Sequence, residues 1–320
     1  MRLETKPTVI SVFAGCGGSS LGYKQAGFKE LLAIDFEHNA VETFRLNFQD
    51  VPAWERNIRT VTGTEILEFC NIKQGELDIF DGSVPCQGFS TAGKRNVNDT
   101  RNDLYKDFTR LINELSPKVF LMENVAGMAK GKMKGRFIEV MKALKDLNYD
   151  VKCKLMNCRN YSVPQSRPRL IWIGVRKDFG IEPSFPTPNS QIVTVGEALA
   201  GLNITEKPEI PGKAIINKVL LKCNEGENGR IHNDGNFFNW QRIARNDLCP
   251  TITKTACLFH WRENRYLTIQ ELKRLATFPD DFQFIGSHRE QWARIGNAVM
   301  PKFMNAIASH IKENILDKNN

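Results

Sequence analysis

The stretch Asp78-Ile79-Phe80-Asp81-Gly82-Ser83-Val84-Pro85-Cys86-Gln87-Gly88-Phe89-Ser90 leads from an apolar, strand-like run into a polar loop. Pro85 fixes a turn that can hold Cys86 at the carboxyl end of a strand. Residues 91–102 are mostly glycine, asparagine, threonine and charged residues, with almost nothing to bury. A cysteine at the base of such a loop is a candidate nucleophile under a mobile lid, although a single cysteine is more often a small buried hydrophobe.

The chain has 320 residues, 41% of them hydrophobic and 25% charged, which is ordinary for a globular protein of one large domain or two modest ones. No apolar run approaches the roughly 20 residues that a membrane helix needs. The first seven residues contain no apolar signal core. We therefore expect a cytoplasmic protein with no membrane partner.

The eight cysteines include no Cys-x-x-Cys pair, and no Cys/His spacing typical of zinc sites is present. This pattern predicts free thiols, no disulfide framework and no metal site. The net charge of +8 and the pI near 9.0 suit a polyanionic partner. Many basic proteins bind no nucleic acid, so the charge alone does not identify the partner.

A β-branched run at residues 8–13 is followed by Gly15, Gly17 and Gly18 and then by a helical pattern. A strand, a glycine turn and a helix start bring backbone N–H groups against a ligand. The dinucleotide fingerprint would need a third glycine where Ser20 stands. The loop therefore favours a different adenosine-containing ligand over NAD, with a purely structural tight turn as the alternative.

The next predicted strand, residues 31–34, ends in Asp35 and Phe36. An acidic residue about 20 positions after the glycines, at the end of the second strand, is where ribose hydroxyls are held. Phe36 could lie against an adenine face. Without the glycine loop, Asp35 would be interpreted as a helix cap.

Further strands and helices alternate along the chain, which predicts an α/β fold with a mainly parallel sheet and helices on both faces. The predicted strands are residues 77–82, 119–122, 151–156 and 170–175, and the predicted helices are 104–115 and 137–147. The glycine loop, Asp35, Cys86 and Glu123 all fall at carboxyl ends of strands, where ligands gather in open α/β sheets.

Three prolines between residues 183 and 188 mark a boundary. We expect a catalytic and cofactor-binding domain at 1–180, a small loop-rich target-recognition domain at 181–290 and a segment at 291–320 that returns to the first domain. Thr268, with Glu271 three residues later, predicts a helix start, and a last helix is predicted at 303–315.

Five motifs in this order resemble those of the cytosine-C5 DNA methyltransferases, and the resemblance covers the chain except for about residues 180–265. The matching segments are Phe13-Ala14-Gly15-Cys16-Gly17-Gly18, Pro85-Cys86-Gln87-Gly88-Phe89-Ser90, Glu123-Asn124-Val125, Gln165-x-Arg167-x-Arg169 and Arg294-Ile295-Gly296-Asn297-Ala298-Val299. The resemblance implies a Rossmann-like methyltransferase domain that uses S-adenosyl-L-methionine and yields S-adenosyl-L-homocysteine.

The resemblance also implies roles for individual residues. Cys86 is the expected nucleophile that adds to C6 of a flipped-out cytosine in double-stranded DNA, and Glu123, Asn124, Arg167 and Arg169 complete the catalytic set. The expected cofactor-binding residues are Phe13, Ala14, Gly15, Gly17, Gly18, Asp35, Phe36, Asn57, Ile58, Asp78, Leu104, Asn297 and Val299. The expected DNA-binding residues are Gln87, Ser90, Lys94, Arg95 and Arg101. Taken singly, Glu123 could cap a turn and either arginine could form a surface ion pair.

Two positions depart from the family pattern. Asn57-Ile58 stands where the family has Asp-Ile at the cofactor adenine, and Met300 replaces the first of two prolines. The resemblance implies a monomeric bacterial or phage enzyme at the nucleoid, either solitary or acting beside a cognate restriction endonuclease. The alternatives are a tRNA methyltransferase of the Dnmt2 type, whose Cys-Phe-Thr signature is absent here, and a catalytically silent DNA-binding regulator. The recognised DNA sequence cannot be inferred from the chain.

Overall fold

The protein is described by a computed structural model that covers residues 6–85, 103–129, 131–189, 191–233, 237, 239–255 and 257–319. Its contacts divide the chain into two compact units. The first consists of Met1–Met156, Pro168–Thr187 and Phe303–Asn320, and the second of Asn157–Arg167 and Pro188–Lys302.

The first unit is built on a seven-stranded sheet with the order β3-β2-β1-β4-β5-β7-β6. The strands are β1 (Thr8–Val12), β2 (Lys29–Asp35), β3 (Ala53–Glu55), β4 (Ile79–Gly82), β5 (Val119–Val125), β6 (Tyr149–Asn157) and β7 (Pro168–Arg176). The neighbouring strands β3, β2, β1, β4 and β5 pair in parallel, and β7 runs antiparallel to β5. The predicted α/β fold with a mainly parallel sheet is confirmed.

The helices of this unit connect the parallel strands. They are α1 (Gly18–Gln25), α2 (His38–Asn47), α3 (Gly63–Cys70), α4 (Leu104–Leu115) and α5 (Lys134–Lys145), and α10 (Pro301–Ile311) follows near the end of the chain. The bounds predicted for α4 agree with the structure, whereas α5 begins three residues before its predicted start. The sequence patterns did not predict α2, α3 or the three-residue β3.

The main core lies between the sheet and the apolar face of α4. Leu104, Phe108, Leu111, Ile112 and Leu115 recur at helical spacing and are all buried. The Phe108 ring stacks on Phe80 of β4, with centroids 5.1 Å apart. This packing fixes the strand that leads to Cys86 against a helix.

The second unit has short elements and its own small core. Its elements are α6 (Val195–Ala198), α7 (Lys213–Ile215), β8 (Gln241–Arg242), β9 (Leu258–Phe259), α8 (Ile269–Leu275) and α9 (His288–Asn297). The core contains Val219, Leu220, Cys223 and Phe259, with Trp240 stacked on Phe259 at 5.6 Å. Trp240 and Phe259, which are 19 positions apart in the sequence, therefore meet in the interior of this unit.

The buried guanidinium of Arg242 holds the loops of the second unit together. It donates to the carbonyl oxygens of Leu220, Cys223, His260 and Glu263 and to the side chain of Asn264. A loop-rich unit buries many backbone carbonyl groups that no helix or sheet satisfies, and one arginine with five N–H donors can satisfy several of them.

In the described part of the chain, capping boxes start helices at Thr62, Thr194, Thr268 and Ser287. The start predicted at Thr268 is among them, with Glu271 accepting from the Thr268 backbone N–H as expected. The seven cysteines in the described part of the chain are free thiols. Across the same residues, no helix is both long enough and apolar enough to span a bilayer.

Candidate active site

The glycine loop follows β1 and leads directly into α1. Gly17 has φ 92° and precedes the first helical residue, and a Cβ atom there would collide with the Phe48 ring. Gly15 also has a positive φ, but the space beside its Cα is open. The loop thus needs glycine at one position to close the turn and leaves room for a ligand at the other.

Asp35 at the end of β2 fixes this loop. Its Oδ2 accepts a hydrogen bond from the Gly15 N–H at 2.8 Å, and its Oδ1 accepts one from the Glu37 N–H at 2.9 Å. The next side chain, Phe36, is 62% exposed. The predicted neighbours Gly15, Asp35 and Phe36 are therefore brought together at the carboxyl edge of the sheet.

A cleft opens between the glycine loop, β2 and β3. Its walls are apolar apart from the Asp35 carboxylate, and the lining residues are Ala14, Gly15, Ala33, Ile34, Asp35, Val41, Phe44, Ala53 and Trp54. Trp54 was not predicted as a site residue. No sequence signal marks it, because its place in the cleft depends on the pairing of the short β3 with β2.

Asn57 begins a short 3-10 turn, Ile58–Thr60, and its Oδ1 accepts from the Arg59 N–H at 3.1 Å. Ile58 is buried in the core of the first unit, as is Leu104 at the start of α4. These three residues lie at element starts, with the Asn57 side chain turned back onto its own backbone.

Asp78, which was predicted to bind the cofactor, does not lie at the carboxyl edge of the sheet. It precedes the amino end of β4, where Oδ2 accepts from the Thr8 N–H and hydroxyl and Oδ1 pairs with Lys118 Nζ at 2.7 Å. Thr8 begins β1 and Lys118 precedes β5, so Asp78 ties together the amino ends of three strands. The structure does not bring Asp78 to the glycine loop at the opposite, carboxyl edge.

Glu123 and Arg169 form a largely buried ion pair. Arg169 Nε lies 2.8 Å from Glu123 Oε1, and each side chain is 11% exposed. Glu123 lies near the carboxyl end of β5, and the antiparallel pairing of β5 with β7 places Arg169 beside it. The arrangement offers an acid and a cation at one point of the carboxyl edge.

Asn124 reaches from β5 to the segment that precedes the candidate nucleophile. Its Nδ2 donates to the Val84 carbonyl oxygen at 3.0 Å, and its Oδ1 accepts from the Val125 N–H. Val84 is two residues before Cys86. Cys86 and the predicted DNA-binding residues Gln87, Ser90, Lys94, Arg95 and Arg101 lie outside the described residues.

Arg167 has a different environment from Arg169. It belongs to the second unit and is buried, and its guanidinium donates to the carbonyl oxygens of Ile252, Gly296 and Ala298 at 2.8–3.0 Å. Gln165 holds the same segment, since its Oε1 accepts from the Ile252 N–H. In this unit Asn297 is exposed at the end of α9, and Val299 is buried just beyond it.

Comparison with known proteins identifies the family. Residues 7–313 match the model of the family described as C-5 cytosine-specific DNA methylase. The chain belongs to this family. It is a DNA cytosine-5-methyltransferase, so the predicted family and enzyme class are confirmed.

Relatives of this cytosine methylase carry the name Type II methyltransferase. It is 36% identical to M1.HphI of Haemophilus parahaemolyticus, over 95% of this chain and 86% of the relative. It is 32% identical to M.NgoFVII of Neisseria gonorrhoeae, over 96% and 87% of the two chains.

Solved structures show the same fold. The methylase superposes on a candidate DNA modification methyltransferase from an Escherichia coli prophage with a TM-score of 0.82 and 25% identity, covering 98% of this chain and 100% of the other. Dnmt2 from Schizosaccharomyces pombe gives a TM-score of 0.69 at 16% identity, over 99% and 100%. Family and fold together imply an S-adenosylmethionine-dependent methyltransferase.

Proposed function

We propose that the protein transfers a methyl group from S-adenosyl-L-methionine to C5 of a flipped-out cytosine in a specific sequence of double-stranded DNA, with Cys86 as the covalent nucleophile. The observation that carries the proposal is the meeting of the Glu123–Arg169 pair and the Asn124–Val84 hydrogen bond at the edge that also bears the glycine loop. Glu123, Arg169 and the segment that leads to Cys86 thus lie close together at this edge of the sheet.

The chemistry requires these residue types because C5 of cytosine is a poor nucleophile. Addition of the Cys86 thiolate to C6 breaks the aromaticity of the ring and leaves an enamine whose C5 can form the new bond to carbon. After methylation, loss of the C5 proton to a base and expulsion of the thiolate restore the ring. Because only the thiolate attacks, a pKa lowered by the surroundings of Cys86 would favour the first step.

Glu123 and Arg169 would act where charge develops. Addition at C6 moves negative charge towards N3, and a proton held by Glu123 at N3 would stabilise it. Arg169 would donate to the cytosine O2 while it orients the Glu123 carboxyl. Asn124 would fix the position of the segment that carries Cys86, through its hydrogen bond to the Val84 carbonyl oxygen. Arg167 would act at a distance, by holding the backbone of the second unit.

S-adenosyl-L-methionine, when bound, supplies a methyl group on a positively charged sulfur. The residues beside the glycine loop suit such a ligand in chemical type, because apolar side chains surround the Asp35 carboxylate, which lies at the position where ribose hydroxyls are held. We propose that Phe13, Ala14, Gly15, Gly17 and Gly18 form the wall, that Asp35 accepts from ribose hydroxyls and that Phe36 and Trp54 flank the adenine. Asn57, Ile58 and Leu104 would complete this site.

A stacked cytosine must leave the duplex before any side chain can reach C5 and C6. We propose that residues 91–102, with Lys94, Arg95 and Arg101, close over the flipped base, and that the second unit selects the DNA sequence. The Type II names of the relatives support a place in restriction–modification, with an endonuclease that cuts the same sequence as a partner.

The test combines substrate choice with a covalent trap. Labelled methyl donor is offered with duplex DNA and with tRNA, and label is expected in DNA. DNA carrying 5-fluorocytosine should form a stable adduct with Cys86, since fluorine blocks the final elimination. The Cys86→Ala protein should form none and transfer no methyl group, whereas Cys153→Ala, at a half-buried free thiol on β6, should behave as the wild type.

Label in tRNA alone would overturn the substrate assignment. Full activity of the Cys86→Ala protein would overturn the nucleophile assignment. Loss of both methylation and adduct in the Cys153→Ala control would show instead that replacing a cysteine damages the fold.

A further inference from the structure

A second group of polar side chains lies inside the first unit. Asp81 of β4 is 2% exposed and pairs in register with Ser11 of β1, which is fully buried. Tyr23 of α1 is also fully buried. Ser20 of α1 donates to Glu30 Oε1 of β2 at 3.0 Å. The group thus joins three strands to the helix that follows the glycine loop.

The position of Asp81 follows from the alternation of side chains along β4. Phe80 faces α4, where it stacks on Phe108. The next residue must point to the other face of the sheet. Tyr23 and Ser19 of α1 act on the Asp81 carboxyl from that side. The Asp81 side chain therefore extends from β4, the strand that leads to Cys86, towards the helix that begins at the glycine loop.

The groups with the largest effects on the Asp81 carboxyl are acidic or uncharged. These groups are Tyr23, Ser19, Glu30 and Glu123. Burial raises the pKa of Asp81 well above its ordinary value, and the negative charges of Glu30 and Glu123 raise it further, whereas Tyr23 and Ser19 oppose the shift. Burial, and then the nearby Asp81, likewise raise the pKa of the Tyr23 phenol. An ionised carboxylate without a cation is costly in such a place, whereas a protonated one can donate a hydrogen bond.

Three atoms of the cluster have unused hydrogen-bonding capacity. Asp81 Oδ1, Tyr23 Oη and Ser11 Oγ are buried and have no partner that meets hydrogen-bond geometry within the described residues. Buried polar atoms in native proteins are nearly always paired. A proton on Asp81, shared with Tyr23, would satisfy an acceptor and a donor together.

We propose that Asp81 is held as a neutral carboxylic acid and serves as a positioning residue, whose proton links β4 to Tyr23 and so fixes α1 and the glycine loop relative to the strand that leads to Cys86. Its consequence for methyl transfer rests on the function proposed above. The structural link itself requires neither the donor nor DNA.

The protonation state is measured by infrared spectroscopy on the ligand-free protein at pH 7. The difference spectrum between the wild type and Asp81→Asn should contain the carbonyl stretching band of one protonated carboxyl group. Asp150→Asn, at an exposed position on β6, should give no such band. Absence of the band from the Asp81 difference spectrum would overturn the proposal.

The pH dependence of unfolding gives a second readout. Burial raises the pKa of Glu30 to about 7 from 4.5, although Ser11 and Ser20 oppose the shift and Asp50 adds to it. A raised carboxyl pKa gives stability that is complete below the unfolded value and is lost as the pH rises through the folded value. The free energy of unfolding of the wild type should therefore fall between about pH 4.5 and 7 through Glu30. The Glu30→Gln variant should keep a fall that starts near pH 3.8, the ordinary pKa of Asp81, and the double variant Glu30→Gln, Asp81→Asn should lack this remaining fall. Parallel profiles would contradict the neutral-acid assignment.

The positioning role is tested by calorimetric binding of S-adenosyl-L-homocysteine. Asp81→Asn keeps a neutral planar group and should bind like the wild type, whereas Asp81→Leu should bind about tenfold more weakly, the size of one lost buried hydrogen bond. Tyr23→Phe should weaken binding in the wild type and add nothing in the Asp81→Leu background.

Equal affinities for the Asn and Leu variants, or additive effects of Tyr23→Phe, would overturn the link. None of these readouts uses methyl transfer to DNA, and they can be repeated with the Cys86→Ala protein. Failure of the proposed function and failure of this inference are therefore distinguishable.

Discussion

Two arginines of one short motif, Arg167 and Arg169, are two residues apart in the chain but belong to different compact units. Arg167 donates to three neutral carbonyl oxygens in the second unit, whereas Arg169 pairs with the Glu123 carboxylate in the first. The difference teaches that the partner, and not the residue type, decides the role. A guanidinium surrounded by backbone acceptors holds a fold, and one beside a carboxylate sets the charge of a site.

Two amide side chains repeat this contrast on a smaller scale. Gln165 accepts a hydrogen bond from the Ile252 N–H in the second unit, and Asn124 donates one to the Val84 carbonyl oxygen in the first. Both satisfy buried backbone groups, but only Asn124 does so next to the proposed nucleophile. We therefore expect substitutions near Arg169 to affect methyl transfer and those near Arg167 to affect stability.

The largest effect is expected for Glu123→Gln. The amide cannot supply a proton at N3, so methyl transfer should fall by about 10²- to 10⁴-fold, the usual contribution of a positioned acid. The rate is measured with labelled donor and duplex DNA, alongside DNA affinity. Glu139→Gln removes a more exposed acid paired with Arg136 on α5 and should leave the rate unchanged. A Glu123→Gln enzyme with wild-type turnover would contradict the catalytic role given to the Glu123–Arg169 pair.

An intermediate effect, on stability, is expected for Arg167→Ala. Removal of the guanidinium leaves three buried carbonyl oxygens without their donor, which should lower the free energy of unfolding by about 3 kcal/mol or more. Denaturant unfolding measures the change, and Arg159→Ala, an exposed arginine of the same unit, is the control. If Arg167→Ala melts like the wild type while losing turnover, Arg167 acts directly in catalysis and the contrast with Arg169 is wrong.

The smallest effect is expected for Asn124→Ala. Loss of one buried side-chain hydrogen bond should cost about 1–2 kcal/mol of stability and reduce turnover about tenfold, because the Val84 segment is released. Asn148→Ala, at an exposed position after α5, should change neither quantity. Stability and turnover are measured on the same preparations. A stability loss with unchanged turnover would place Asn124 with Gln165, as a residue that serves the fold only.

The sequence predicted much of the first unit. Apolar runs predicted six of its seven strands, and helical spacing of apolar residues predicted the bounds of α4. Motif order predicted the family. The patterns did not predict α2, α3, α9 or the short β3, because their apolar residues are few and their packing partners lie far away in the sequence.

Local sequence determined what could be decided by neighbours along the chain: strand periodicity, capping residues and the glycine needed at φ 92° in position 17. The tertiary structure alone decided the partners of each charged group. Asp78 joins the amino ends of three strands, Trp54 lines the cleft, and Asp81 is buried opposite Ser11. The physical reason is that the energies of desolvation and charge pairing depend on which groups are in contact across the sheet. Strand order and register determine these contacts.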